Sequence, residues 1–448
     1  MATGSLGLRL CGNEKGGKNF RKLKKQKIMK IISVTGTKGK TTVVRALDFV
    51  LRKSGNKTLR VDTDGHYING RQKSTLEDSK KLFMLVPTVC PGKYLLDAKK
   101  MYPNFTAIFE TAIGSSASAG LGYGLHQIGI FTNVLEDHLK ASKRLQTRND
   151  LAKAKRFIFN RIDLGGTVIF NADDKYVCSQ IEAVPKFRRP VYLLPVGFNF
   201  EYFDLNKHLK RGGEWITVEN GWVVVKNRKK TDKIVELKEI VWTFNGAFQP
   251  SVFNLMFIVA GLYVHNNKEI TAKNIKYLKK YRFDKFGGRL TLLENKKGIK
   301  ILVDYAHEKF SLAEVAQLGK SIAKGEVWGV VRLAPDRPDK VIYETGEYIA
   351  DKFDNLIVYD KIDGIVRKEY KGRKSFFNRK IGEVSKIFYR GIKNKKKNGK
   401  VLRVVREDLA IKKSAELAQP GDTVIVICGD DHRRTIKLVR KYFKAKFI

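Results

Sequence analysis

Cysteine is scarce in this 448-residue chain, and its placement argues against a disulfide framework or a cysteine metal site. The four cysteines lie far apart, at Cys11, Cys90, Cys178 and Cys428, and none belongs to a CxxC pair or another metal-ligand spacing. Reduced structural thiols are therefore expected, and redox chemistry is not indicated.

Long apolar runs are also missing from the sequence. No run approaches the roughly 20 residues that a membrane-spanning helix needs, and no hydrophobic segment precedes a small-residue cleavage site near the N-terminus. The sequence thus predicts a cytoplasmic protein without membrane insertion. Its length and its 43% hydrophobic content are sufficient for two or three domains with their own cores.

Acidic residues are few relative to basic ones. The chain has 45 Asp and Glu against 88 Lys and Arg, a net charge of +43. Two explanations fit this surplus of positive charge. It could attract an anion, namely nucleic acid, a nucleotide or a polyacidic substrate, or it could give the protein a basic surface suited to an unusual cytoplasm. The lysines are spread along the whole chain without an RNA-binding aromatic motif, which favours the second explanation and makes a nucleic-acid partner unexpected. Residues 1–28 form a basic tail, which is predicted to be disordered.

What the sequence does contain is a phosphate-binding pattern in residues 30–51, KIISVTGTKGKTTVVRALDFVL. The pattern predicts a buried strand, a glycine-containing loop and an amphipathic helix in direct succession. In such a unit the backbone N–H groups and the helix N-terminus face an anion, Lys40 contacts the terminal phosphates, and Thr41 offers a hydroxyl to Mg²⁺. A chance match in a lysine-rich chain is the alternative, but the predicted strand and helix lie where a phosphate loop needs them.

Strands and helices alternate after this loop, which predicts a parallel sheet. Polar residues follow several predicted strands, as at Glu110 and in NADD at 171–174, and ligands of open α/β sheets bind at the carboxyl ends of strands. The strands of this sheet are predicted at 31–34, 58–61, 105–109, 128–132 and 167–170.

The later part of the chain predicts two further features. Short alternating segments indicate a small antiparallel insertion over 189–242, and a second α/β unit without its own phosphate loop begins after residue 281. The predicted fold class is therefore α/β, with a P-loop parallel-sheet ATPase domain that carries the small antiparallel insertion, followed by a Rossmann-like α/β domain. The predicted units are a tail at 1–28, an ATP-binding domain at 29–281 and a C-terminal α/β domain at 282–448.

Eight motifs together resemble the Mur ligase family of ATP-dependent peptide ligases. Val34 stands where the common P-loop pattern has its first glycine, a form characteristic of these ligases. Each motif alone is weak, but their order and spacing make the combination specific. The motifs are GTKGKTT at 36–42, FET around Glu110, TNVLEDHL at 132–139, AKRFIF at 154–159, NADD at 171–174, GGR at 287–289, DYAH at 304–307 and PDR at 335–337.

The resemblance implies a reaction in which ATP phosphorylates an acceptor carboxylate and an amine then attacks the acyl phosphate to give an amide. Catalysis of this kind consists mostly of positioning and charge neutralisation. By resemblance, Lys40 contacts the terminal phosphates, Thr41 and Glu110 hold the Mg²⁺ of ATP, and His138 helps to hold a second Mg²⁺. Lys155 falls at a position that many members carbamylate, which would give an anion able to bind metal or order water.

Further roles also follow from the resemblance alone. Asn254 lies where members place an adenine-contacting asparagine, although residues 249–253 do not keep the usual spacing, and Glu308 and Lys309 replace the Asn/Thr-Pro that often follows DYAH. The implied nucleotide contacts are Thr37, Lys38, Gly39, Lys40, Thr41, Thr42, Asn254, Arg289, Asp304 and His307.

The pocket for the incoming amino acid is expected in the second α/β unit. KIDGIVR at 361–367 stands where muropeptide ligases have an Asp-Asn-Pro-Arg type loop, so selectivity does not transfer. If lysine is the substrate, Asp363 or Asp430 would bind its ammonium and Arg367 or Arg433 its carboxylate. The candidate residues are Asp336, Arg337, Asp363, Arg367, Asp430 and Arg433.

The branch of the family is inferred from composition and analogy. Residues 62–70 and 110–124 resemble the Mur-like half of cyanophycin synthetases. Muropeptide ligases carry a domain for a UDP-sugar precursor before the phosphate loop, whereas in this sequence a short basic tail precedes it. A pervasively basic chain fits a hyperthermophilic methanogen, so the expectation is a monomeric archaeal pseudomurein peptide ligase of cell-wall synthesis. It would use ATP, two Mg²⁺ ions, an amino acid and an acidic or UDP-linked peptide acceptor. The alternatives are a cyanophycin-type or polyglutamate-type ligase, a nucleic-acid-binding P-loop ATPase and a non-catalytic Mur-like scaffold.

Overall fold

A computed structural model describes residues 29–75, 87–95, 104–112, 120–136, 145–184, 190–361 and 379–448. Four features of the sequence lie outside these ranges: the basic tail at 1–28, His138, Asp363 and Arg367. Within them, no helix is both long and apolar enough to cross a membrane.

Two β-sheets organise the described residues. The first has eleven strands in the order β11-β10-β9-β8-β7-β6-β1-β5-β2-β3-β4, and the second has seven in the order β16-β15-β14-β17-β13-β12-β18. The strands are β1 Lys30–Thr35, β2 Thr58–Asp62, β3 Gly65–Ile68, β4 Arg71–Thr75, β5 Thr106–Glu110, β6 His126–Phe131, β7 Ile162–Asn171, β8 Tyr192–Val196, β9 Trp215–Glu219, β10 Trp222–Lys226, β11 Thr231–Glu236, β12 Thr291–Glu294, β13 Lys300–Asp304, β14 Val327–Val331, β15 Asn355–Val358, β16 Val401–Arg403, β17 Thr423–Ile427 and β18 Lys446–Phe447.

Helices connect most of the parallel strands, because a parallel pair needs a crossover connection. Short 3₁₀ turns lie at Pro91–Tyr94, Ile181–Ala183, Leu237–Glu239 and Val241–Thr243. The α-helices are α1 Lys40–Lys53, α2 Arg148–Lys155, α3 Phe157–Asn160, α4 Lys175–Cys178, α5 Leu205–Lys210, α6 Gln249–His265, α7 Ala272–Lys280, α8 Lys309–Ile322, α9 Asp339–Ile349, α10 Glu383–Lys395, α11 Glu407–Leu417 and α12 His432–Phe443.

Strand β1 lies inside the first sheet and pairs in parallel with β5 on one side and β6 on the other. Because both neighbours are parallel, the carboxyl ends of all three strands meet at one edge, where the loop of residues 36–39 begins. This central position explains why Ile31, Ile32 and Val34 are all buried. The predicted strands of this sheet, and the α/β fold class, are confirmed.

Antiparallel strands occur within residues 189–242, as the sequence predicts, and the structure shows where they attach. Strands β9, β10 and β11 pair antiparallel with one another, and the parallel pairing of Val196 with Ile216 joins them to β8. They therefore extend one edge of the main sheet. Alternating apolar residues predict the strands themselves, but not which edge they join, because that depends on pairing between distant residues.

Each sheet is buried on both faces. Helices α1 and α6 pack on one face of the first sheet, where Leu47, Val50 and Leu255 are fully buried, and a second apolar cluster that includes Phe109 and Phe159 covers the other face. The second sheet likewise separates two apolar clusters. Along the chain, β11 is the last strand of the first sheet and β12 is the first strand of the second. The domain boundary near residue 281 stays a prediction.

Candidate active site

The loop at residues 36–39 is held in a backbone shape that only glycine adopts easily at two points. Gly36 and Gly39 have φ angles of 141° and 84°, a region that strains other residues. A Cβ atom on Gly36 would lie 1.9 Å from the hydroxyl oxygen of Thr132, and one on Gly39 would lie 2.2 Å from Oδ1 of Asn254. The loop is therefore packed closely between the end of β6 and helix α6.

Asn133 fixes the loop from the neighbouring strand end. Its side-chain oxygen accepts hydrogen bonds from the backbone N–H groups of Thr37 and Lys38 at 3.2 and 2.9 Å, and its backbone carbonyl accepts a further one from Thr37 at 2.9 Å. The hydroxyl of Thr132 donates to the carbonyl of Lys38 at 2.7 Å. Sequence analysis assigned Asn133 no role, although its place directly after a buried strand and inside TNVLEDHL was a usable signal.

Two lysines from different helices reach the same point of the loop. Lys40 Nζ donates to the carbonyls of Gly36 and Thr37 at 3.0 and 2.9 Å. Lys155, the last residue of α2, is buried and donates to the Gly36 carbonyl at 2.9 Å. The structure thus brings together two of the predicted catalytic residues, while the third, His138, lies outside the described ranges.

Thr41 and Glu110 form a buried pair of oxygen donors beside these lysines. The Thr41 hydroxyl donates to Glu110 Oε2 at 2.8 Å, and the Thr63 hydroxyl lies 3.4 Å from the same oxygen. A hydroxyl and a carboxylate suit Mg²⁺, which takes few protein ligands and completes its shell with water and phosphate oxygens. The pair therefore fits the implied ion, although no cluster of three or more His, Cys, Asp or Glu residues occurs in the described ranges. Sequence analysis did not identify Thr63.

A cavity of about 370 Å³ opens next to the loop. Lys38 and Gly39 line one side and Asn254 and Phe257 of α6 another, while Glu314 of α8 contributes from the second sheet. The volume and the mixture of aromatic and polar groups suit the base and ribose of a nucleotide whose phosphates occupy the loop. The predicted nucleotide residue Thr42 lies half-buried in the first turn of α1.

The wall of this cavity is built by the end of β6 and helix α4. The carboxylate of Asp174 caps α4 and also accepts a hydrogen bond from the backbone of Val134 at 2.7 Å. Arg148 donates to the Val134 carbonyl at 3.0 and 2.6 Å, and its guanidinium lies 4.4 Å from the ring centre of Tyr176. These contacts explain the last carboxylate of the NADD motif, and the other, Asp173, accepts hydrogen bonds from the backbone N–H groups of Phe198 and Phe200 at 2.6 and 2.7 Å.

The DYAH motif of the second sheet reaches the phosphate loop. Lys38 Nζ lies 2.9 Å from His307 Nε2, and Nδ1 of His307 lies 2.9 Å from the carbonyl oxygen of Tyr305. This arrangement suits the tautomer with its proton on Nδ1. A second link across the same gap is the ion pair between Lys309 and Glu136 at 3.1 Å. Both halves of the protein therefore meet at the loop.

Two carboxyl groups near this contact have a raised pKa. Burial raises the pKa of Asp304, whose carboxylate accepts a hydrogen bond from the backbone of Leu290 at 2.9 Å and feels the charge of the exposed Arg289. The side chain of Glu314 keeps contact with solvent, yet the protein atoms packed around its carboxyl group and the charge of Glu308, opposed by Lys38, raise its pKa to about 7. Sequence analysis missed Glu314, which lines the cavity and has a carboxyl group that titrates near neutral pH.

The substrate candidates of the second sheet are only partly brought together. Asp430 accepts hydrogen bonds from Tyr305 at 2.6 Å and from Lys361 at 2.8 Å. Asp336 is exposed in a turn, and the backbone carbonyl of the neighbouring Arg337 accepts a hydrogen bond from Arg379 at 2.7 Å. Arg433 is exposed in the first turn of α12. Sequence analysis did not identify Lys361.

Known proteins match this chain both in sequence and in fold. Residues 34–212 match the Mur ligase middle domain, and residues 288–429 match the Mur ligase, glutamate ligase domain. The chain is 27% identical over 424 residues to a cyanophycin synthetase of Nostoc sp. strain PCC 7120, covering 92% of this chain and 42% of that protein. The chain thus spans less than half the length of this cyanophycin synthetase.

Two solved structures share the fold. One is a bifunctional folylpolyglutamate synthase/dihydrofolate synthase from Yersinia pestis complexed with AMPPNP and Mn ion, with a TM-score of 0.61, 14% identity, and coverage of 93% of this chain and 90% of that one. The other is a pseudomurein peptide ligase type C from Methanothermus fervidus, with a TM-score of 0.58, 15% identity, and coverage of 92% and 79%.

Proposed function

The chain belongs to the Mur ligase family, and from that premise we propose that it forms an amide bond between a carboxylate of an acidic or nucleotide-linked peptide and the amine of an amino acid, with ATP converted to ADP and phosphate. The observation that carries the proposal is the convergence of Lys40, Lys155, Thr41 and Glu110 on one phosphate loop. Positioned charges of this kind are what phosphoryl transfer requires.

The nucleotide is assigned to the loop and the adjoining cavity. ATP places its base and ribose beside Asn254 and Glu314 and its phosphates along residues 36–42, where Lys40 exchanges its contacts with the loop carbonyls for phosphate oxygens. His307 and Lys38 meet at the mouth of this site. The remaining assigned nucleotide contacts are Thr37, Thr42, Arg289 and Asp304. The AMPPNP bound in the Yersinia pestis relative supports this assignment.

The Thr41 hydroxyl and the Glu110 carboxylate are assigned to a Mg²⁺ ion that accompanies ATP. A bound divalent cation neutralises phosphate charge as the terminal phosphoryl group moves to the acceptor carboxylate. His138 is assigned to a second ion by resemblance alone. The manganese ion in the same relative supports a divalent metal and does not give the number of ions.

Lys155 is assigned a positioning role at the reacting carboxylate. In its carbamylated form it would be an anion at the position now taken by an ammonium group beside Gly36. An anion there would offset the charge of Lys40 and hold a metal ion or water. The acyl phosphate then forms next to the contact between the two halves, where an amine bound on the second sheet attacks it and phosphate leaves.

The finer proposal is a pseudomurein peptide ligase, which would extend a cell-wall peptide. It rests on the pervasive positive charge of the chain and is consistent with the shared fold of the Methanothermus fervidus protein. A cyanophycin-type ligase is the second candidate, because the sequence is 27% identical to a cyanophycin synthetase over 92% of the chain. A polyglutamate-type ligase is a third, supported by the fold of the Yersinia pestis protein.

The test is ADP release by the full chain with ATP, Mg²⁺ and a panel of amino acids. Each amino acid is supplied with a UDP-linked glutamyl peptide, with poly-aspartate or with no acceptor, and the product is identified by mass spectrometry. Release that needs both an acceptor and an amino acid, with a new amide in the product, is expected. Stimulation by nucleic acid alone would contradict the ligase proposal and favour a nucleic-acid-binding ATPase.

A further inference from the structure

Four side chains meet at the carboxyl-end edge of the second sheet, and we call them the strand-end cluster: Tyr305, Arg332, Lys361 and Asp430. Each follows a different parallel strand, namely β13, β14, β15 and β17. These strands are neighbours in the order β15-β14-β17-β13, so the cluster spans the middle of the sheet at the edge where α/β folds bind ligands.

Asp430 is engaged by two members of the cluster. Its Oδ1 accepts hydrogen bonds from the Tyr305 hydroxyl at 2.6 Å and from Lys361 Nζ at 2.8 Å. Although burial alone would raise it, these hydrogen bonds and the charges of Lys361 and Arg332 hold the pKa of Asp430 below its usual value. Asp430 is therefore a stable anion whose charge is directed at Lys361.

The cluster carries more positive than negative charge. Arg332 is fully buried, and its guanidinium donates from Nε and Nη2 to the carbonyl of Cys428. Its charge lies 5.1 Å from the ring centre of Tyr305, and Lys361 Nζ lies 5.9 Å from the same centre. Two cations thus lie beside one carboxylate, with Arg332 buried, Lys361 10% exposed and Asp430 36% exposed, so solvent reaches the carboxylate from one side.

Neighbouring acidic side chains are used for backbone contacts. Asp360 is buried and accepts from the backbone N–H groups of Gly382 and Ser385. Asp431 caps α12 through the backbone of Arg434 at 3.0 Å. These carboxylates stabilise the chain around the cluster, and each has a partner that an incoming ammonium group would have to displace.

The cluster is adjacent to the reacting end of the site. The ring of Tyr305 lies 5.3 Å from the ring of His307, and His307 contacts Lys38 of the phosphate loop at 2.9 Å. The side chain of Lys361 is only 10% exposed. Lys361 is itself paired with Asp430, but an ammonium group has three N–H donors, so a carboxylate arriving at this edge would share this pre-positioned cation with Asp430.

We propose that Lys361 binds the side-chain carboxylate of the incoming amino acid, with Asp430 as the residue that positions Lys361, so that the enzyme adds an acidic amino acid. This inference rests on the proposed ligase function and deepens it by naming a substrate class. It reverses the sequence-based hypothesis that Asp430 receives the ammonium of a lysine substrate, because the structure pairs Asp430 with a lysine of the protein itself.

The test compares glutamate, aspartate, alanine, lysine and arginine as substrates for ADP release by the full chain and by Lys361→Met. We expect the wild-type protein to prefer glutamate or aspartate and Lys361→Met to raise KM for that substrate about 30-fold, as loss of a charged hydrogen bond does, with little change for alanine. Lys413→Met is the matched control, since Lys413 also pairs with a carboxylate, Glu416, but lies on the surface of α11.

Asp430→Asn tests the positioning role. It should raise KM for the acidic substrate several-fold while kcat and KM for ATP stay unchanged, a split that general destabilisation would not produce. Lys361→Glu should lower KM for lysine or arginine relative to glutamate. Melting temperatures of all variants identify any that fail to fold, and Lys361→Arg, which keeps the charge, should restore most of the acidic preference.

The outcomes separate the two levels of the proposal. If the wild-type chain forms amides but prefers a basic amino acid, or if Lys361→Met weakens all amino acids equally, the acidic-substrate inference is wrong and the ligase function stands. If no combination of acceptor and amino acid releases ADP or yields an amide, the ligase function itself fails and the inference fails with it.

Discussion

Lys40 and Lys155 donate hydrogen bonds to one shared acceptor, the carbonyl oxygen of Gly36, at 3.0 and 2.9 Å. Two ammonium groups on one oxygen lie roughly 6 Å apart at most, a distance at which like charges repel. Negative charge between them, from a phosphate group or from a carbamate on one lysine, would remove that repulsion. The pair therefore places two positive charges at the point of the loop where a phosphate group would bind.

The first prediction concerns carbamylation of Lys155. Lys155→Arg keeps a cation but cannot take up CO₂, so we expect amide formation to fall about 100-fold or more, the size of effect typical for a lost electrostatic contact in a phosphoryl-transfer site. The wild-type protein should show a carbamate carbon by NMR in ¹³C-bicarbonate. Lys153→Arg, an exposed position on the same helix, is the control. Full activity in bicarbonate-free buffer, without a carbamate signal, would count against the carbamate.

The second prediction concerns Mg²⁺ and Glu110. Glu110→Gln keeps an oxygen near the Thr41 hydroxyl but removes the charge, so the Mg²⁺ concentration for half-maximal ADP release should rise about 10-fold or more. Thr63→Val is the comparison, because the Thr63 hydroxyl lies 3.4 Å from Glu110, compared with 2.8 Å for Thr41. An unchanged Mg²⁺ dependence in Glu110→Gln would remove this residue from the metal site.

The third prediction separates strain from collision at Gly39. Gly39→Ala should weaken binding of a non-hydrolysable ATP analogue at least 10-fold, because alanine is disfavoured at φ 84° by about 1 to 2 kcal/mol and its methyl group would collide with Asn254. Gly55→Ala is the matched control: Gly55 has a φ of 105° but no atom within 4 Å of the added Cβ.

Combining Gly39→Ala with Asn254→Gly refines this test. The double variant removes the collision and leaves the strain, so thermal stability should recover only in part. Calorimetric titration gives the affinity, and the melting temperature gives the stability. Equal losses in Gly39→Ala and Gly55→Ala would show that the contact with Asn254 does not matter.

The fourth prediction is a pH dependence set by Glu314. Its pKa of about 7, raised from 4.5, means that the carboxyl group in the nucleotide cavity ionises mainly between pH 6 and 8. A new negative charge in the cavity assigned to the base and ribose should repel the ATP anion and raise KM for ATP by about threefold over that range. Glu314→Gln should flatten this change, whereas Glu416→Gln on the surface of α11 should not.

The same shift has a consequence for stability. Because the pKa of Glu314 is raised in the folded state, the stabilising effect of its proton is complete below pH 4.5 and is lost as the pH rises through about 7. Glu314→Gln should therefore gain stability relative to the wild-type protein at pH 8 compared with pH 5. Denaturant unfolding at the two pH values measures the difference, and an opposite sign would mean that folding lowers the pKa of Glu314.

The phosphate loop and its neighbours could be predicted from sequence because local signals specify them. The strand at 31–34, the helix that starts at Lys40 and the strand that ends at Glu110 each carry their own apolar period. The convergence of Glu110 and Thr41 then follows from parallel pairing of β1 with β5. Residues at adjacent strand ends could be expected to meet.

Contacts that depend on the packing of distant elements could not be predicted in this way. The pairing of Lys361 with Asp430 joins residues 69 positions apart, and a single lysine in a lysine-rich chain gives no signal of its own. Glu314 illustrates the same limit, since its pKa depends on burial and on charges from Lys38 and Glu308. The attachment of β9 to β8 rests on one pairing that no local pattern specifies.

The contact between Lys38 and His307 has a practical consequence for dissecting the protein. Because the loop of the first sheet and the DYAH motif of the second are within 2.9 Å of each other, a fragment cut between β11 and β12 would carry a nucleotide site with one wall removed. Complementation in trans offers a measure of this dependence: the two fragments, mixed, should recover ATP affinity that neither has alone, with the recovery depending on fragment concentration.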